Sequence, residues 1–163
     1  MREWLVASGI VEGPDGLLLV QTRRRSGLVD WSTPGGVIEV EAGESVIDGL
    51  TREVHEETGI TVTEWEGPVY EVEALAEGLG WRLHVEVHRA LAFSGDLVVA
   101  DLDGIVIDAR WVPVSECDPH LDACPVWVRE PLAGWLGERP CAPRSYRYRV
   151  DGADRGTLAV VRL

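Results

Sequence analysis

Residues 44–60 read Glu44-Ser45-Val46-Ile47-Asp48-Gly49-Leu50-Thr51-Arg52-Glu53-Val54-His55-Glu56-Glu57-Thr58-Gly59-Ile60. Val46, Ile47, Leu50 and Val54 recur at near-helical spacing and predict an amphipathic helix. Glu44-Ser45 stands at its start, and Gly59 follows Glu57-Thr58 as the residue that turns the chain out. At about 100° per residue, Glu56 lies roughly 60° to one side of Glu53 and Glu57 about 40° to the other. The three carboxylates therefore share a face. Alone, that arrangement is unfavourable: two carboxylates about 5 Å apart repel by roughly 3 kcal/mol at an effective dielectric near 20. Acids in a last helical turn also oppose the helix dipole. A divalent cation reverses the sign of the repulsion, and a donor set of oxygens without thiolate selects Mg²⁺ or Mn²⁺.

Three acids on a helix are also what a solvated acidic face looks like, and this chain is acidic throughout. Two neighbours favour a site. Arg52 can orient or partly neutralise an adjacent carboxylate. Gly35-Gly36, upstream, lets backbone approach a metal or substrate with no side chain between. Further out, residues 4–11 are β-compatible, Glu12-Gly13-Pro14-Asp15-Gly16 is a turn, and Leu17-Leu18-Leu19-Val20 is a buried strand, together a hairpin. Thr22-Arg23-Arg24-Arg25-Ser26-Gly27 reads as an exposed basic loop. Beyond the helix, β-like segments cover 60–64, 69–76, 82–93 and 105–112. A second helix fits 126–136, with Val128, Leu132, Trp135 and Leu136 on one side.

The 163 residues make one domain's worth of chain, with 45% hydrophobic and 26% charged residues, a globular composition. A net charge of -13 argues against a general grip on nucleic-acid backbone, whose phosphates would meet a like-signed field. No apolar run reaches the roughly 18–20 residues of a membrane span, and the first residues lack a secretory pattern. Three widely spaced cysteines, Cys117, Cys124 and Cys141, read as free thiols in a reducing compartment. A cytoplasmic location is the expectation. The last 24 residues differ: five Arg and two Asp give 140–163 a net +3, leaving -16 for 1–139. There Tyr146, Tyr148 and Val150 alternate with Ser145, Arg147 and Arg149, a terminal hairpin with a basic edge.

The stretch resembles the box of the Nudix hydrolases: Gly, five residues, Glu, seven residues, then Arg-Glu-apolar-any-Glu-Glu-any-Gly-apolar. Glu44, seven residues and Arg52 to Ile60 match the second part throughout. The first part departs, with seven residues instead of five between Gly36 and Glu44. Val37 to Gly43 is therefore expected to form a longer bulge before the helix. Leu17 to Arg23, Trp31 to Gly36, Phe93 to Leu97 and Ala109 to Pro113 also look like Nudix surroundings, so the resemblance spans about residues 4–137.

The resemblance implies an α/β (α+β) fold, an α/β/α sandwich with a mixed sheet and a loop–helix–loop motif. It implies a Nudix domain over 1–139, with 140–163 a basic β-hairpin packed on it. The implied activity is Mg²⁺-dependent (or Mn²⁺-dependent) cleavage of a pyrophosphate bond in a nucleoside triphosphate or other nucleoside diphosphate derivative. Carried over by position, Glu53, Glu56 and Glu57 are metal ligands, with the Gly36 carbonyl and Glu44 as further ones; Arg52 organises the carboxylates. The base is Glu53 or Glu56 acting through a water held by the metal, or a later acid, Asp101 or Asp103. Arg23 and Arg25, with Asp103, are candidates for binding substrate. Trp31 and Trp81 could stack a base, although core packing is the commoner use of Trp. His84 and His88 share the wet face of one strand and read as a hydrated pair. A small nucleotide-linked molecule is the expected partner, and a second copy of the chain is a further candidate. The competing reading is a catalytically silent nucleotide sensor on the same fold, and it predicts damaged metal ligands, which this sequence does not have.

Overall fold

The computed structural model describes residues 1–100, 104–154 and 156–163. Its elements in order are β1 (Arg2–Ile10), β2 (Glu12–Gly13), β3 (Gly16–Arg23), β4 (Val29–Ser32), β5 (Gly35–Val37), α1 (Val46–Thr58), β6 (Thr61–Ala76), β7 (Trp81–Ser94), β8 (Val106–Val112), α2 (Cys117–Leu121), α3 (Val126–Glu138), β9 (Arg144–Asp151) and β10 (Ala159–Arg162). Six strands form one sheet in the order β10-β9-β6-β7-β1-β5, and β2, β3, β4 and β8 form a second. The large sheet is mixed as expected: β1–β7 and β6–β9 run parallel, while β6–β7, β1–β5 and β9–β10 are antiparallel.

The second sheet is wedged between helical layers, and β3 shows why its Leu17-Leu18-Leu19-Val20 run is continuously apolar. Leu17 and Leu19 enter a core with Leu121 of α2, Leu132 and Trp135 of α3, and Val72, Tyr146 and Tyr148 of the large sheet. Leu18 points the other way, into a core with Leu50 and Val54 of α1, Ala7, Ile38 and Val62. A strand buried on both faces has no wet side to alternate with. α1 starts where expected: the Ser45 side chain accepts a hydrogen bond from the Asp48 N–H. It ends at Gly59, which turns left-handed at φ 79° and donates its N–H to the His55 carbonyl.

Four features differ from the sequence reading. The first is the hairpin around residues 12–16. The short β2 pairs with β3, while β1 leaves for the large sheet, where β7 pairs with it along its whole length. The long parallel ladder wins over the local turn. The second concerns residues 60–64 and 69–76, which are parts of one strand, β6. Between the pairs Glu66↔Arg89 and Tyr70↔Val87, β6 advances four residues and β7 two, so Gly67-Pro68 forms a bulge without ending the strand. The third is the hairpin of β9 and β10, which extends the large sheet, with β10 at its edge. β9 inserts beside β6 and buries Tyr146, Tyr148 and Val150. Ser145, Arg147 and Arg149 consequently lie on a sheet face, not along an edge. The fourth is α2, which breaks the 113–125 segment; its five residues are too few to show a helical period.

Cys117 and Cys124 are buried, and burial pushes both thiols up to about 11. Cys124 also donates to the Trp31 carbonyl at 2.7 Å. Cys141 is exposed. A native-state thiol titration with Ellman's reagent is expected to register one fast-reacting cysteine per chain and, after denaturation, three. Two or more fast thiols in the native state would contradict this packing.

Candidate functional site

Among the described residues, Arg52 bonds to carboxylates of the 44–57 stretch. Its Nε donates to Glu44 Oε2 at 2.8 Å and its Nη2 to Glu44 Oε1 at 3.0 Å, a bidentate fork. Its Nη1 donates to Glu53 Oε1 at 3.1 Å and to Glu56 Oε2 at 3.2 Å. One guanidinium thus ties three acids from two turns of helix and the residue before its cap. The carboxylates around it raise the pKa of Arg52, chiefly through the Glu44 bond. Glu44 moves the opposite way: Arg52 and the Glu39 N–H pull it from 4.5 to about 2.

Glu53 behaves differently. Burial raises its pKa, and the opposing pull of Arg52 only partly compensates. It is squeezed by β5: a Cβ placed on Gly36 would lie 2.6 Å from the Glu53 carboxyl carbon. No residue with a side chain fits there while Glu53 holds its position. Glu57 is also buried, while the Glu56 side chain is 54% exposed.

The seven residues between Gly36 and Glu44 leave this contact intact. Ile38 continues from β5, donating to the Leu5 carbonyl at 2.9 Å, and is buried. Val40–Ala42 then makes a single 3₁₀ turn, closed by Gly43 in the left-handed conformation. The Glu39 N–H donates to Glu44 Oε1 at 3.1 Å. The longer segment is thus taken up in a one-turn helix stitched to Glu44.

Register extends the site across the large sheet. Gly36 is opposite Ala7, Ala7 opposite Glu86, and Glu86 opposite Glu71. Residues in such a row point to one face, the face that α1 covers at its β5–β1 end. The next rows add His84, Glu73, Arg147 and Arg149. Beyond Ala7 this face forms a polar shelf beside the helix carboxylates. Trp65 bounds it, packing over Gly9 and donating from its indole N–H to Thr51 Oγ1 of α1 at 3.0 Å.

Of the sequence-predicted residues, Glu44, Arg52, Glu53 and Glu56 come together directly, with Gly36 against Glu53. Arg23 and Arg25 are exposed at the end of β3 and in its turn to β4, in the second sheet. Arg24 between them is tied to the buried Asp30 by two 3.0 Å bonds. Asp101 and Asp103 lie outside the described residues. Trp81 packs against Trp127 of α3, and Trp31 sits between His120 and Arg110. His84 and His88 are not a hydrated pair: His88 is 4% exposed, under the β6 bulge. The shelf residues Glu71 and Glu86 were missed by the sequence reading. The alternation His84-x-Glu86-x-His88 was visible, but Glu71 joins it only through the β6–β7 register.

A NUDIX domain family model matches residues 3–130. The chain therefore belongs to the Nudix family, a family of pyrophosphohydrolases. The fold is shared with the Escherichia coli ORF135 protein (TM-score 0.66, 23% identity, 86% of this chain and 96% of that one). It is shared equally with a MutT protein from Bacillus halodurans (TM-score 0.65, 23% identity, 98% and 97%). A MutT Nudix hydrolase from Burkholderia pseudomallei aligns with TM-score 0.61 at 22% identity, over 71% of this chain and 87% of that one. A search of curated proteins finds no match.

Because burial raises the pKa of Glu53, the folded chain is favoured with this group protonated. That stability is fully present below the ordinary carboxylate range and is lost as pH rises through the raised value. At neutral pH the ionised carboxylate is a liability of the metal-free fold. Glu53→Gln keeps the shape and an acceptor for Arg52, so it is expected to raise the melting temperature in EDTA at pH 7.5 by on the order of 2 °C. The gain should shrink at pH 4. A lower melting temperature for the variant at pH 7.5 would show that the Arg52 bond outweighs desolvation.

Proposed function

We propose that the chain is a divalent-metal-dependent hydrolase that cleaves a pyrophosphate bond in a nucleoside triphosphate or another nucleoside diphosphate derivative, in the cytoplasm. The observation that supports this most directly is Arg52 bonded at once to Glu44, Glu53 and Glu56, with Glu53 pressed over Gly36. The donor chemistry fits Mg²⁺ or Mn²⁺. The available atoms are carboxylate oxygens and a backbone carbonyl, and desolvated Glu53 is an anion in want of a cation. Glu53, Glu56 and Glu57, with the Gly36 carbonyl, would hold the metal. Glu44 has both oxygens engaged by Arg52 and Glu39, so its part is to fix Arg52. A bound dication supplies charge neutralisation for the pyrophosphate oxygens.

The remaining work falls to the chain. Arg52 holds the Glu53 and Glu56 carboxylates in fixed directions, so they need little rearrangement when charge develops on phosphorus. In hydrolysis, a water oxygen bonds to one phosphorus, the bridging P–O bond breaks, and the water proton passes to a carboxylate of this face. Glu56, 54% exposed and held by Arg52 through Oε2, is the carboxylate of this group that solvent water reaches most readily. The polar shelf receives the part of the substrate beyond the scissile bond, and Arg23 and Arg25 are the candidates to meet its phosphates.

Nucleoside triphosphates, dinucleoside polyphosphates, ADP-ribose and nucleotide sugars, each assayed with and without Mg²⁺, form the test. Metal-dependent release of product is expected from at least one. On that substrate Glu53→Gln and Glu57→Gln should each lower turnover at least about 100-fold, as expected for losing a charge beside the transition state. Glu41→Gln, in the exposed 3₁₀ turn, should leave it near wild type. Near-wild-type rates in both helix variants would place the chemistry elsewhere, and binding without turnover across the panel would favour the silent sensor.

A further inference from the structure

On the shelf, away from the α1 carboxylates, one donor atom from each of Glu71, His84 and Glu86 lies within 4.8 Å of the other two. His84 Nε2 is 3.5 Å from Glu71 Oε1. All three side chains are partly open to solvent, so a ligand can reach them. What distinguishes the group from a chance surface cluster is the residue behind it. His88 is 4% exposed, and its ring is directed into the cluster, with Nε2 3.0 Å from Glu86 Oε2. Its Nδ1 has no hydrogen-bond partner among the described residues. A buried imidazole bonded to a carboxylate, with that carboxylate facing an imidazole and a second carboxylate, has the form of an outer-shell residue orienting a metal ligand.

We propose that Glu71, His84 and Glu86 form a second divalent-cation site, distinct from the α1 carboxylates, with His88 as the residue that positions Glu86. Two carboxylates and one imidazole suit Zn²⁺ or Mn²⁺ better than Mg²⁺, which prefers an all-oxygen shell. Three protein donors leave positions open for water or a ligand oxygen. Antiparallel pairing of β6 and β7 supplies all three: Glu71 is directly opposite Glu86, and His84 is two residues along β7 on the same face. Glu86 is also two strands from Gly36 in one row, roughly 10 Å at the usual strand spacing. A cation here would add positive charge to an acidic shelf where an anionic substrate extends. That last consequence rests on the proposed function; the cation site itself does not.

Calorimetry with Zn²⁺ alone tests the site, using the full chain with Glu53, Glu56 and Glu57 all changed to Gln and circular dichroism to verify folding. One Zn²⁺ site is expected to remain. Its affinity should fall at least 10-fold in added Glu86→Gln or His84→Ala and about 10–100-fold in His88→Gln. As a second measurement, wild-type crystals soaked in ZnCl₂ and recorded at the zinc edge should show an anomalous peak between Glu71, His84 and Glu86. Absence of that peak, or Zn²⁺ binding indifferent to His84→Ala and Glu86→Gln, would overturn the proposal. Either outcome leaves the hydrolase reading standing, because that reading is judged by Mg²⁺-dependent turnover and the α1 variants.

Discussion

The charge balance around Arg52 is the interaction on which the site depends. A single guanidinium makes four hydrogen bonds to three carboxylates. Without it, Glu44, Glu53 and Glu56 would be like charges crowded at one helix face. With it, each acid has a fixed direction. The balance is uneven: Glu44 takes a full bidentate fork and is driven strongly acidic, whereas Glu53 gets one bond and stays destabilised by burial. This asymmetry divides two identical side chains into an anchor and a group that still seeks positive charge. One pairing satisfies the fold, and the other leaves a half-buried acid for which a metal is the proposed partner.

The packing around the helix keeps the group in place. Leu50 and Val54 are fully buried against the large sheet, so α1 cannot roll without opening that core. Gly36 allows β5 to run directly beneath Glu53. The 3₁₀ turn ahead of Ser45 absorbs the long connection and contributes the Glu39 N–H to Glu44. On the opposite face of the large sheet, Arg139 closes α3 in the left-handed conformation at φ 46°, strained for a side chain with a Cβ. Its guanidinium makes a bidentate pair with Glu12 and lies 4.6 Å from the Trp135 ring centroid. Those contacts help hold α3 against the sheet face opposite the shelf.

Much of this was legible without coordinates wherever the physics is local. Ser45 and Gly59 bound α1 because capping involves residues within a few positions. The 3.6-residue period put Glu53, Glu56 and Glu57 on one face. The alternation of Tyr146, Tyr148 and Val150 gave a strand with one buried side. Local signals misled where a distant partner competed. The turn at residues 12–16 suggested that residues 4–11 pair with β3, yet β7 captures β1. Residues 60–64 and 69–76 read as separate segments, yet beyond Gly67-Pro68 the pairing to β7 resumes at Tyr70. His88 shared the polar side of the β7 alternation with His84 and Glu86 and read as hydrated, but the β6 bulge covers it.

By itself, then, the sequence determined the helix, its caps, its carboxylate face and the family, because these depend on spacing along a single element. Only the tertiary structure decided what lies opposite what. It set Gly36 under Glu53, carried the terminal strands into the main sheet, and brought Glu71 to His84 and Glu86. Strand register is fixed by hydrogen bonds and buried side chains contributed by segments far apart in the chain. A one-residue slip would send each of those side chains to the other face, and no local pattern records which partner a strand will find.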